Sequence, residues 1–192
     1  MESVKLNNTK SYRILAEETP FDHDQSEKVL NTFFAVSDYY KLNPNPGACH
    51  LMSSVFHVLL NEQGIDNELC IGEVKTGEQY FDHSWVEIDG KVFDIAIQLT
   101  LDGSKNAPVY GGYDLFTVTA SDLEYGSKSI AGLDEVAQQI YVTPFVNYMD
   151  AYPVFKEGAW KIVKVIGKNL RLKLERIELR QKYKDTRRIL KS

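Results

Sequence analysis

The chain reads as an α+β protein in which a buried, cysteine-bearing helix packs on an antiparallel sheet. Three observations predict this. The run from Asn45 to Leu60 keeps a helical period and is apolar on most sides. The stretch from Glu68 to Leu99 alternates apolar and polar residues around Asp89-Gly90, a strong hairpin signal. From Val154 onward a helical period returns.

Taken in order, residues 1–23 are polar, with one apolar cluster at Tyr12, Ile14 and Leu15, and are expected to form an N-terminal arm, partly disordered or laid along the body. Asp24 to Tyr40 predicts a helix with Val29, Phe33, Val36 and Tyr40 on one face, capped by Asp24 or Ser26. In the next helix Asn45 is the expected N-cap and Pro46 the first helical residue, where its missing N–H costs nothing. Ala48, Met52, Val55 and Leu59 share one face, and Gly64 is a left-handed C-cap. Strands are expected over 68–74, 79–88 and 91–99, with a turn at Thr76-Gly77. Thr100 to Ala120 reads as a long loop holding one strand at 115–119. Short helices are expected at 121–126 and 133–139, and a strand at 140–145. Beyond Val154, the residues Phe155, Ala159, Ile162, Ile166, Leu170, Leu174 and Ile177 fall on one helical line, although the alternation at Leu170, Leu172 and Leu174 also admits a strand. The expected division is an arm (1–23), a central domain (24–152) and a basic, mainly helical C-terminal extension (153–192).

The hydrophobic fraction of 43% and charged fraction of 26% over 192 residues are ordinary for a globular chain. The N-terminus has no apolar core of signal-peptide type, and no apolar run approaches the ~20 residues that span a membrane. Two cysteines do not make a disulfide scaffold, so the cytoplasm is the expected compartment, with both thiols reduced. The net charge of −5 is unevenly spread: Lys156 to Ser192 holds 13 basic and 4 acidic residues. Such a tail either folds back on its own domain or binds an anionic partner, nucleic acid included. The sequence holds no glycine-rich phosphate loop and no dinucleotide fingerprint, and the tail lacks the aromatic interleaving of a single-strand binder.

The hairpin register places the chemistry. With Asp89-Gly90 as a two-residue turn, Val86 faces Phe93 and Trp85 faces Asp94. His83, Trp85 and Asp94 then share a face, while Val86, Ile88, Phe93 and Ile95 supply the opposite, packing face. His83 and Asp94 are diagonal neighbours, within reach of an imidazole and a carboxylate. A thiol at the positive end of a helix is biased towards thiolate. If the cysteine helix packs against the polar face, Cys49, His83 and Asp94 form a nucleophile, a base and the residue that orients the base. An oxyanion needs donors: the Cys49 backbone N–H is one, and Asn43, Asn45 or a nearby tyrosine is the second. His50 and Trp85 complete the candidates for contact with substrate. Taken singly, each residue has a plainer reading: a buried small hydrophobe, a satisfied strand histidine, a turn-adjacent carboxylate. Cys70, on an apolar strand, is that plainer case. A zinc site from Cys49, His50, Cys70 and His83 is disfavoured, because no close Cys-x-x-Cys or His-x-x-x-His pair supports it.

The order Gly47-Ala48-Cys49 opening a helix, then His83-Ser84-Trp85-Val86-Glu87-Ile88, then Val92-Phe93-Asp94, resembles the transglutaminase-like branch of the papain-like cysteine enzymes. The resemblance covers Pro46 to about Gln98. It implies a papain-like, transglutaminase-like core with Cys49 as nucleophile, His83 as base and Asp94 as third member. The sequence departs from the family pattern in three ways: His50 stands where many transglutaminases have Trp, the His-to-Asp interval is short, and Ile95-Ala96 follows the acid rather than Pro. These departures argue against a calcium-dependent, animal-type transglutaminase. The expected activity is acyl transfer through a thioester, with hydrolysis of a peptide, protein or small amide or ester favoured over transfer to an amine. This chemistry requires no metal or organic cofactor. The rival expectation is a non-catalytic binding protein that uses its basic tail.

Overall fold

The computed structural model describes residues 11–101, 103 and 105–192. The first ten residues of the expected N-terminal arm lie outside the described residues. The remainder of that arm forms α1 (Tyr12–Glu17), which buries Ala16. Helix α2 (Ser26–Leu42) buries Val29, Phe33, Val36 and Tyr40, the face that the sequence predicts. Its start differs: Gln25 is the N-cap, and no side chain caps the helix.

Helix α3 (Cys49–Asn61) is buried at every position except its second and last. It begins later than expected. Asn45 is not its N-cap. Instead the Ala48 N–H reaches back to the Asn45 carbonyl at 3.1 Å in a turn through Gly47, whose φ is +74°. A side chain at residue 47 would strain that backbone and collide with Leu101. The turn makes Cys49 the first helical residue, so its N–H has no acceptor within the helix. The far end closes as expected: Gly64 is left-handed, and the Ile65 N–H bonds the Leu60 carbonyl at 3.1 Å.

Strands β1 (Glu68–Thr76) and β2 (Gln79–Ile88) pair antiparallel along their whole length. Residues 89 and 90, both left-handed, turn the chain into β3 (Lys91–Phe93) in the expected register, Val86 opposite Phe93. The return strand is shorter than its alternation implies. The Asp94 carboxylate accepts the Ile97 N–H at 3.2 Å, and this local bond winds Ala96–Gln98 into a 3-10 turn.

Strands β4 (Val109–Tyr110), β5 (Tyr113–Asp114) and β6 (Thr119–Ala120) form a small separate sheet. The expected strand at 115–119 is instead mostly a turn, because Asp114 Oδ1 accepts the N–H groups of Phe116 and Thr117 at 2.8 and 2.9 Å. The expected helix at 121–126 is replaced by β7 (Glu124–Ser127), held by pairing with the edge of β1. The expected strand at 140–145 belongs to two helices, α4 (Glu135–Val142) and α5 (Phe145–Asp150), separated at Thr143-Pro144.

The helical line beyond Val154 is broken. Helix α6 (Trp160–Asn169) ends at a left-handed Arg171, whose turn is closed by the Leu172 N–H on the Gly167 carbonyl at 2.8 Å. Helix α7 (Arg176–Lys182) follows, and Ile177 is exposed rather than on the buried line. Strand β8 (Ile189–Lys191) then joins β1 in parallel, so the main sheet is not wholly antiparallel. The main sheet runs β3-β2-β1-β7, with β8 also on β1.

One face of this sheet (Leu69, Val86, Ile88, Phe93) shares the main core with α2, α3 and α6. Phe33, Phe56, Phe93 and Tyr110 knit that core in edge-to-face contacts; the rings of Phe33 and Phe56 lie 5.8 Å apart. The other face carries a smaller cluster of Cys70, Val74 and Trp85, covered by Phe81, Leu123 and Tyr125. The basic segment packs on the acidic body. Trp160, Ile166 and Tyr183 sit in the main core. Arg176 and Arg180 both meet Asp150 at 2.9 Å, Lys182 meets Glu62, and Lys191 meets Glu68 and Glu87 at 2.8 Å.

Candidate active site

Helix α3 does not lie on the polar face of the hairpin. Its body packs on the apolar face, and its first turn reaches the strand at residues 83–84. There the His50 Nδ1 atom and the Ser84 hydroxyl are 2.7 Å apart. This contact brings the first residue of α3 beside the histidine of β2.

His83 Nε2 lies 2.6 Å from Asp94 Oδ2, the diagonal pairing that the hairpin register predicts. With that nitrogen engaged, Nδ1 is the ring atom left to face sulfur. Asp94 is held from three sides: His83, the Tyr125 hydroxyl at 2.8 Å and the Ile97 N–H at 3.2 Å. A carboxylate with that many donors has one fixed orientation. All three groups are withdrawn from solvent, with Cys49 7%, His83 4% and Asp94 1% exposed.

The electrostatics follow from this geometry. Burial opposes ionisation of the Cys49 thiol. Burial is the largest single influence, but the His83 charge, the hydrogen bonds from His50 and His83 and the His50 charge together outweigh it and bring the thiol down to about 5. Burial also opposes charge on His83, but Asp94 and the Cys49 sulfur hold its imidazolium up to about 10. The two groups titrate as a pair, and the favoured state at neutral pH is thiolate with imidazolium.

The remaining candidates are placed differently. His50 contacts both the thiol and Ser84. Trp85 is fully buried in the smaller cluster, and its indole N–H donates to Glu87 at 2.9 Å. The Asn43 amide donates to the Tyr39 carbonyl at 2.9 Å. Asn45 lies in the turn before α3, and its carbonyl accepts from the Tyr40 hydroxyl at 3.1 Å. Cys70 faces Glu68 and Glu87, the one group of three potential ligand side chains found close together among the described residues. The Lys191 ammonium bonds both of those carboxylates. Tyr125, Ser84 and Ile97 were not legible as site residues. Tyr125 reaches Asp94 only through the pairing of β7 with β1, which leaves no local signature.

A family model described as the transglutaminase-like superfamily matches residues 6–102, half of the chain. The chain belongs to the transglutaminase-like superfamily. Its members are generally cysteine-dependent enzymes, and the matched span contains Cys49, His83 and Asp94. Comparison with curated proteins and with solved structures returned no match. Among the described residues, no helix is long and apolar enough to cross a membrane.

Proposed function

We propose that this superfamily member is a cysteine-dependent acyl-transfer enzyme that hydrolyses an amide or peptide bond through a thioester on Cys49. The observation that carries the reading is the Cys49–His83 contact, with the far ring nitrogen of His83 held by Asp94 at 2.6 Å.

In this scheme the Cys49 thiolate attacks the acyl carbon and a C–S bond forms. The oxyanion meets the N–H of Cys49, which has no acceptor within α3 and lies at its positive end. His83 gives its Nδ1 proton to the leaving nitrogen as the C–N bond breaks, and an amine departs. A water then gives a proton to His83 while its oxygen adds to the thioester. The C–S bond breaks, the acid leaves and the thiolate–imidazolium pair returns. Asp94 keeps the imidazole oriented and supports its charge throughout. His50, held by Ser84, also hydrogen-bonds the sulfur.

The test is a peptide library incubated with the protein, followed by intact-mass detection of a hydroxylamine-sensitive acyl adduct on Cys49. The expected result is an adduct that disappears in Cys49→Ala and decays to a free acid. Decay only when an amine is added, with amide as product, replaces hydrolysis by transamidation. A thiol that forms no adduct and alkylates no faster than free cysteine below pH 8 overturns the enzymatic reading in favour of a binding protein.

A further inference from the structure

Among the described residues, Arg188 is a buried cation without a counter-ion. It is 5% exposed, and its Nε and Nη2 atoms have no hydrogen-bond partner among the described residues. Nη1 has only the Ile140 carbonyl, at 3.3 Å. The guanidinium lies over the Tyr148 ring at 4.4 Å and the Phe145 ring at 5.7 Å. Arg176, Arg180, Lys182 and Lys191 of the same segment each meet a carboxylate; among the described residues Arg188 meets none. A guanidinium can hardly shed its proton, so burying it without a counter-ion is costly. Two aromatic faces attract the charge but offer the N–H groups no acceptor.

The position of this charge relates it to the thiol. Helix α4 is tied at its start to Asp82, the neighbour of His83, by the Asp134 N–H at 2.8 Å. Six residues further on, the Ile140 carbonyl meets Arg188. At ~1.5 Å per residue, the two contacts are about 9 Å apart along α4, one on the strand that carries His83 and the other on Arg188. Tyr148, the ring beneath the guanidinium, feels the fields of both Arg188 and Cys49. Helix α4 is also the lightest cover in this region: of its eight residues only Ala137 is buried, while Val136 and Val142 are 65% and 67% exposed. The hydrogen bond between α4 and Arg188 is a long one, from Nη1 to the Ile140 carbonyl at 3.3 Å.

We propose that Arg188 anchors an anion subsite beneath α4 that receives a carboxylate of the peptide acyl donor. With that ~9 Å taken as the span between the two, an extended chain at about 3.3–3.6 Å per residue puts the carboxylate two to three residues from the acyl carbon. Its two oxygens match the unpaired Nε and Nη2 of the guanidinium fork. The subsite refines the proposed thioester chemistry and rests on Cys49 being its nucleophile. Either a peptide C-terminus or an acidic side chain supplies the same chemistry.

Three probes separate these sources: bromoacetyl-Gly-Gly with a free C-terminus, bromoacetyl-Gly-Glu-amide, and neutral bromoacetyl-Gly-Gly-amide. Cys49 alkylation is followed by intact mass. In the unaltered protein, at least one carboxylate probe is expected to react about tenfold faster than the neutral one, the worth of one charged hydrogen-bonded pair. The preferred probe names the source. In Arg188→Gln the preference is lost while the neutral probe reacts as before, which also shows that the variant is folded. Arg188→Lys retains part of the preference. An independent measurement avoids the thiol: acetyl-Gly-Gly and acetyl-Gly-Glu-amide are titrated calorimetrically into Cys49→Ala protein, with and without Arg188→Gln. Arg188-dependent binding in that protein supports the subsite even if Cys49 proves unreactive, in which case the proposed chemistry alone fails. Equal rates for all three probes with no calorimetric binding, or a preference that survives Arg188→Gln, overturns the subsite and leaves the thioester chemistry standing.

Discussion

The two cysteines of this chain are both free and both buried, yet their surroundings drive them in opposite directions. Cys49 opens a helix and faces imidazoles, and its thiol is brought down to about 5. Cys70 sits mid-strand between Glu68 and Glu87. Burial and the Glu87 charge push it well above the ordinary thiol range, with Lys191 only partly opposing them. Withdrawal from water disfavours a thiolate at both sites. What separates them is the sign of the charge facing the sulfur, so the difference can be broken or sharpened by changing those charges.

The largest expected effect is the contrast itself. At pH 6.5, iodoacetamide should alkylate Cys49 at least about a hundredfold faster than Cys70, as measured by peptide mapping. The sign of the pH dependence follows from the lowered thiol. Because the pair titrates from about 5, the Cys49 rate should hold through neutral pH and fall as the medium is acidified through that value. Comparable rates for the two thiols would remove the basis of the contrast.

Removing the facing cation comes next. His83→Ala should move the Cys49 profile upward, towards an ordinary thiol, and lower its rate at pH 6.5 by about tenfold or more. Asp94→Asn should act less on sulfur and more on the imidazolium. Asp94 is a main cause of the raised His83, so its loss should bring the upper edge of the ion-pair window down from about 10. NMR titration of the His83 ring checks this. An unchanged upper edge would mean that Asp94 holds the ring in place without supporting its charge.

Much of this site was legible because it rests on local rules. The residues 89–90 turn fixes which side chains oppose each other, and from that alone His83 and Asp94 become neighbours. The apolar face of α2 and the burial of α3 followed from spacing. What was missed depends on contacts between distant segments or on single side chains that redirect the backbone. Strand β7 exists because the edge of β1 is available, and its own Tyr-Gly sequence carries no strand period. The strand at 91–99 stops early because one carboxylate captures the Ile97 N–H. Arg188 looks like any other charge of a basic tail until β8 docks and buries it.

Tyr125 offers a smaller, sharper probe of the same contrast. Its hydroxyl donates to the Asp94 oxygen that also meets His83, and the phenol is pushed well up, first by burial and then by the Asp94 charge. Tyr125→Phe keeps the ring that packs 5.1 Å from Trp85 and removes only that donor. The loss of one hydrogen bond to a charged group amounts to about 1.5–3 kcal/mol when the acceptor stays buried. Asp94, however, keeps two other donors, so the measured cost should fall towards the lower end. A melting curve reads that cost, and the Cys49 rate at pH 6.5 should change by no more than a few-fold. The direction discriminates between roles. A carboxylate relieved of one donor becomes a stronger partner for His83, so the imidazolium should rise rather than fall. A drop instead would mean that Tyr125 positions Asp94 against His83, and that the orientation of the carboxylate matters more to the pair than its basicity.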